Sequence, residues 1–131
     1  MEVQIINEEL FAEMFARASR HVRHRDWFDL RNSADDGSQR MMVAVLPTDG
    51  PDRIARHENT SESFMLLKGR MDVMLYDMQS DGSFVETQRI HLCPAEGNVG
   101  IQIPKGVWHS VEVFENSVFF ESKDGPYIPG K

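Results

Sequence analysis

Phe64-Met65-Leu66-Leu67-Lys68-Gly69-Arg70-Met71-Asp72-Val73-Met74-Leu75-Tyr76 is a pair of short apolar runs hinged on Lys68-Gly69. Runs of this length, stopped by a turn residue and restarted at once, read as strand, turn, strand. The same grammar continues on both sides. Upstream, Met41 to Leu46 ends in the loop Pro47-Thr48-Asp49-Gly50-Pro51. Downstream, Ser80-Asp81-Gly82-Ser83 is a hairpin signal before Phe84 to Leu92, and Pro94 to Gly97 marks another turn. Val99 to Ile103, Val107 to Phe114 and Ser117 to Glu121 complete the series. Six to eight short strands with regularly spaced turns predict an all-β sandwich or barrel. One helix stands in front of it. Asn7 is a side-chain cap, Glu8 and Glu9 suit the positive end of a helix dipole, and Leu10, Phe11, Met14, Phe15 and Ala18 share a face, which predicts a helix over about residues 8 to 20.

The chain has 131 residues, enough for one domain with a real core. We expect residues 1–39 to be the helix and its lead-in, 40–122 the barrel and 123–131 an irregular tail. A formal net charge of −7 argues against a nucleic-acid or anionic-membrane partner, although Arg17, Arg20, Arg23 and Arg25 cluster and leave a local anion contact open. No apolar stretch is long enough to span a bilayer, and the N-terminus lacks a signal-like pattern, so the cytoplasm is the expected compartment. Cys93 is the single cysteine, which excludes an intramolecular disulfide or a multi-Cys zinc site. Its apolar neighbour Leu92 suggests a packing role.

Two segments more than forty residues apart carry the chemistry: Arg56-His57-Glu58-Asn59-Thr60-Ser61-Glu62 and Pro104-Lys105-Gly106-Val107-Trp108-His109. Residues at even separations on a strand share a face, so positions 55 and 57 point the same way. Glu62 starts the next apolar run, and the Pro104-Gly106 turn brings a second strand's His109 near. Two imidazoles and one carboxylate suit a divalent transition metal such as iron, manganese, nickel or zinc, with coordination positions left open. Taken singly, each would be an ordinary loop, strand-start or half-buried residue. Together they predict a metal site of His57, Glu62 and His109.

These segments resemble the two motifs of the cupin superfamily. The first motif, His-x-His, three or four residues, Glu, six residues, Gly, reads here as Ala55-Arg56-His57, four residues, Glu62, six residues, Gly69. In the second, Pro104-x-Gly106-x-x-His109 matches, while Asn98 stands at the Gly position and Val113 at the final Asn. Gln39-Arg40-Met41-Met42, Leu67 to Val73, Ile103 to His109 and Phe120 to Tyr127 further resemble the WbuC-type cupin-fold metalloproteins, small bacterial proteins often associated with surface-polysaccharide gene clusters. The likeness runs over about residues 20 to 128. It implies a double-stranded β-helix, or jelly-roll barrel, with a metal in its mouth held by His57, Glu62 and His109. The usual first motif His is absent, because Ala55 occupies its place. It also implies a homodimer.

Other residues carry two readings each. Arg40 either points into the barrel to bind an anionic substrate group or is a strand-end charge in solvent. Glu121 and Lys123 share parity and form either a functional rim or a surface ion pair; Tyr127 in the tail is placed to close the mouth. His91, between Ile90 and Leu92, is expected to face solvent, and Trp108 to face away from His109. Two functions follow from this reading. One is a metal-dependent enzyme on a small polar metabolite such as a sugar or sugar nucleotide, with isomerisation or epimerisation favoured over dioxygenase chemistry. The other is a non-catalytic carbohydrate-binding or regulatory cupin with a degraded metal site.

Overall fold

The computed structural model describes residues 3–126 and 128. Helix α1 spans Glu8–Arg20, and the Asn7 side chain accepts a hydrogen bond from the Leu10 N–H at 3.0 Å, as the capping pattern predicts. Eight strands follow: β1 (Arg25–Asp29), β2 (Gln39–Val45), β3 (Glu62–Lys68), β4 (Met71–Met78), β5 (Phe84–Leu92), β6 (Gly100–Ile103), β7 (Trp108–Val113) and β8 (Ser117–Lys123). A 3₁₀ turn at Pro94–Glu96 links β5 to β6. Among the described residues no helix is long and apolar enough to cross a membrane.

The strands form two antiparallel sheets, ordered β1-β2-β8-β3-β6 and β5-β4-β7. Their facing sides enclose one core of Val43, Val45, Phe64, Leu66, Met71, Val73, Leu92, Ile103, Val113 and Phe119. The outer face of the larger sheet buries Met42, Ala44 and Val118 under Leu10, Phe11 and Met14 of α1. Strand β2 therefore sends alternate residues to two different cores, and this alternation fixes its register. The all-β jelly roll with one N-terminal helix is the expected architecture.

Strand β1 was not expected. It lies within the predicted lead-in and pairs with β2 along its whole length, Arg25 opposite Val45 through Asp29 opposite Met41. It is short and carries three charged residues among five, so its alternation is hard to see in the sequence. His24, with φ of 50°, turns the chain into it, and the His24 carbonyl accepts the Leu46 N–H at 2.9 Å.

The loop between β2 and β3 also runs as an irregular strand beside β7. Asp52 N–H donates to the Val111 carbonyl at 2.8 Å, Ala55 and His109 exchange two bonds of 2.9 Å, and Gly106 N–H donates to the His57 carbonyl at 2.8 Å. A chain leaving the larger sheet is thereby stitched to the smaller one. This seam places the site.

Candidate metal centre

His57 comes from the stitched loop, Glu62 from the first residue of β3 in the larger sheet, and His109 from β7 in the smaller one. Their ligand atoms all lie within 4.8 Å of one another. Glu62 Oε2 is 2.8 Å from His57 Nε2 and 3.5 Å from His109 Nε2. Yet this buried oxygen makes no directed hydrogen bond. Metal–ligand bonds of about 2.0–2.2 Å place neighbouring ligand atoms about 3 Å apart on an octahedral centre and about 3.4 Å on a tetrahedral one. The observed separations fall around those values. His109 Nδ1 lies 3.0 Å from the Val107 carbonyl, so that nitrogen carries the proton and Nε2 is directed to the centre. An orphaned buried carboxylate oxygen between two imidazole nitrogens fits a divalent cation.

Position 55 faces the same cavity as expected. Ala55 is the cross-strand partner of His109, and both line a cavity of about 400 Å³ together with Arg53 and His57. The alanine methyl stands where the fourth ligand of the cupin motif would be.

Glu121 and Lys123 line the cavity too, as their shared parity on β8 predicts. The Glu121 carboxyl neighbours Glu62 in this cavity. Two carboxyls so close cannot both ionise easily, and they separate in opposite directions. Burial and the charge on Glu62 push the Glu121 carboxyl well above its ordinary range, which favours its protonated form. Burial works against the charged form of Glu62, but the adjacent Glu121, His109 and His57 side chains outweigh it and hold this carboxyl well below its ordinary range. His109 is drawn down by burial and raised further by Glu62 and the Val107 carbonyl, with a net upward shift.

Arg40 is not brought to the cavity. It pairs across the sheet with Ser122 on the face opposite Gln39 and Met41, and its guanidinium donates to Ser38 Oγ at 2.6 Å and Asp36 Oδ2 at 3.0 Å. The parity of β2 decides this, since Gln39 and Met41 are the residues that reach the cavity. Tyr127 lies outside the described residues. Trp108 faces away from His109, as expected, and carries the Arg56 guanidinium 4.5 Å from its ring centre.

The cavity holds residues that the sequence reading did not place there. Arg25 reaches it from the first residue of β1, Arg23 from the turn before that strand, and Asp52 and Arg53 from the stitched loop. Asp52 Oδ2 accepts from Arg23 Nη2 at 2.9 Å and Arg25 Nη2 at 2.8 Å. The Arg25 Nε is buried and has no hydrogen-bond partner. Burial lowers the Arg25 pKa, with Asp52 working against that shift. Four cationic side chains, Arg23, Arg25, Arg53 and Lys123, thus face three carboxyls, Asp52, Glu62 and Glu121. The cavity is electropositive within a chain of net charge −7. The cluster of arginines in the sequence was the available signal.

Comparison with known proteins supports the fold. The family model described as a domain of unknown function (DUF6016) matches residues 6–90. The cupin domain of Cnp3 from Schizosaccharomyces pombe aligns with a TM-score of 0.53 at 12% identity, covering 77% of this chain and 64% of that one. A dTDP sugar isomerase from Desulfovibrio desulfuricans aligns at 0.55 and 20% identity, covering 78% and 68%. KdgF from Halomonas sp. aligns at 0.58 and 13% identity, covering 80% and 81%. The chain spans only 51% and 64% of the length of two of the structures that it matches. These likenesses establish the cupin fold and nothing finer. A search of curated protein sequences found no match.

Proposed function

This chain belongs to the DUF6016 family, and from its cupin barrel we propose that it is a metal-binding protein acting on a small polar metabolite with an anionic group. The observation that carries the reading is the orphaned Glu62 oxygen set between His57 and His109 in an electropositive cavity. His57, Glu62 and His109 would hold the metal. Iron, manganese, nickel and zinc all suit such a donor set. When bound, a divalent metal supplies Lewis acidity toward a carbonyl oxygen.

The chain's own residues supply the rest of the chemistry. Arg25 and Arg53 offer guanidinium donors to a carboxylate or phosphate, the geometry that arginine recognises best. Glu121, its carboxyl pushed above the ordinary range beside Glu62, would serve as proton donor, and Lys123 lines the same cavity. A proton-bearing carboxyl near a carbonyl site suits isomerisation or epimerisation, in which a proton leaves one carbon and another is delivered nearby. A sugar or sugar nucleotide has the needed polarity and charge. The resemblance of residues 20 to 128 to WbuC-type cupins, with their link to surface polysaccharide, and the sugar isomerase among proteins of similar fold support that substrate class. A dioxygenase role is less favoured, because Glu121 and the basic residues have no evident part in it.

The second reading is a non-catalytic carbohydrate-binding or regulatory cupin. Ala55 favours it, since the methyl group beside His109 removes a donor from the centre. We infer a homodimer in either case: β1 and β6 are the outer strands of the larger sheet and offer pairing edges. Elemental analysis of purified protein beside a His57→Ala control tests the main reading. Near-stoichiometric metal that disappears in the control supports it. No metal after reconstitution with iron, manganese, nickel or zinc moves the assignment to the binding module.

A further inference from the structure

We propose a second metal site, for zinc, on the outer face of the smaller sheet at His91, Cys93 and Glu96. The three ligand atoms lie within 4.8 Å of one another, and none of these residues lines the barrel cavity. Along β4, Asp72 opposite His91 is three residues from Leu75 opposite His109, about 10 Å by strand rise. The two centres are therefore distinct.

His91 is half-exposed on the outer face, in keeping with its alternation, but it is held there. Its Nδ1 lies 2.6 Å from Oδ1 of buried Asp72, whose other oxygen accepts from Arg89 Nη1 at 3.1 Å. A carboxylate on one imidazole nitrogen fixes the tautomer and leaves the other nitrogen free to bind, the usual support of a zinc-bound histidine. The free Nε2 is 3.6 Å from Glu96 Oε2, too far for a hydrogen bond and close to the edge of about 3.4 Å expected between two ligands of a tetrahedral zinc.

The backbone brings the other two ligands back toward His91. Cys93 pairs with Asn98 through a bond of 2.8 Å from its N–H, closing the loop. Within it, Pro94–Glu96 forms the 3₁₀ turn, and Gly97 at φ of 85° reverses the chain. Glu96 N–H donates to the Cys93 carbonyl at 3.0 Å, which fixes the position of Glu96 relative to the thiol. Thiolate, imidazole and carboxylate together suit zinc, with water in the fourth position. Binding releases the Cys93 thiol proton to solvent.

Cobalt titration of the reduced full-length protein tests this site. Cys93 is the sole cysteine, so a cobalt–thiolate charge-transfer band in the near ultraviolet reports on this centre and not on the barrel centre. We expect the band in the wild type and in His57→Ala, its loss in Cys93→Ser, and its bleaching by zinc. Glu96→Gln changes an exposed side chain and keeps the fold, and Asp72→Asn removes the support of His91. Each should weaken the cobalt Kd by about tenfold or more. Absence of the band at millimolar cobalt would overturn the proposal. So would a band whose cobalt Kd is unchanged in both His91→Ala and Glu96→Gln, since that marks a lone thiol. Loss of metal from the barrel alone leaves this result untouched, so the two readings fail separately.

Discussion

At the scale of single residues, the paired carboxyls at the barrel centre have unequal roles. The Glu121 carboxyl is shifted up and the Glu62 carboxyl down. Glu121→Gln keeps a neutral donor toward Glu62, whereas Glu62→Gln removes the only anion between two imidazoles. We expect the first variant to retain metal and the second to lose it, measured by elemental analysis after identical loading. The sign of the pH effect follows from the shift. The Glu121 pKa is raised above its ordinary value of 4.5, so its contribution to stability is present below that pH and is lost as pH rises through the folded value. Urea unfolding of the metal-free proteins should show Glu121→Gln gaining on the wild type as pH rises above the ordinary carboxyl range. A difference that shrinks over that range would contradict the assignment. Ala55→His puts an imidazole opposite His109, and we expect it to lower the Kd for metal; no gain would count against a centre at that place.

At the scale of elements, turns and caps decide where strands and helix stop. Gly69 joins β3 to β4 at φ of 101°, and a Cβ added there would stand 2.6 Å from the Asn116 carbonyl and 2.7 Å from Ser117 Cα. Neither backbone can yield cheaply. Gly69→Ala should cost about 2 kcal/mol or more, read as a lowered urea midpoint. Asn7→Ala removes the α1 cap and should cost about 1 kcal/mol. These features were legible because each depends on a few neighbours in sequence: Asn7-Glu8-Glu9, Lys68-Gly69, Ser80 to Ser83. The metal triad was legible because motif spacing survives in the chain even when the residues meet only through the fold. Strand β1 was not, since Arg25-Asp26-Trp27-Phe28-Asp29 shows no alternation and takes its identity from pairing with β2. Arg25, Asp52 and Arg53 were missed for the same reason, as they reach the cavity through β1 and the stitched loop. Arg40 illustrates the cost of one register step: its neighbours Gln39 and Met41 face the cavity, and it does not.

At the scale of the molecule, charge and topology act together. Asp52 couples β1 to the stitched loop by receiving Arg23 and Arg25 on one oxygen. Burial raises its pKa, but the Arg53 N–H and the two arginines lower it further, so the net shift is below the ordinary 3.8. Its stabilising effect is present above that pH and fades as acid lowers the pH through the folded value. Asp52→Asn should cost about 1–2 kcal/mol at neutral pH, less than a fully buried pair because the side chain is partly exposed, and its disadvantage should vanish in acid. The order β1-β2-β8-β3-β6 has a further consequence for synthesis on the ribosome. The central strand of the larger sheet is the last to emerge, and until Ser117–Lys123 leaves the exit tunnel the sheet exists as two unjoined halves, β1-β2 and β3-β6, each with a bare inner edge. A chain cut just before β8 would therefore lack the strand that joins the two halves, and the larger sheet could not close over the core.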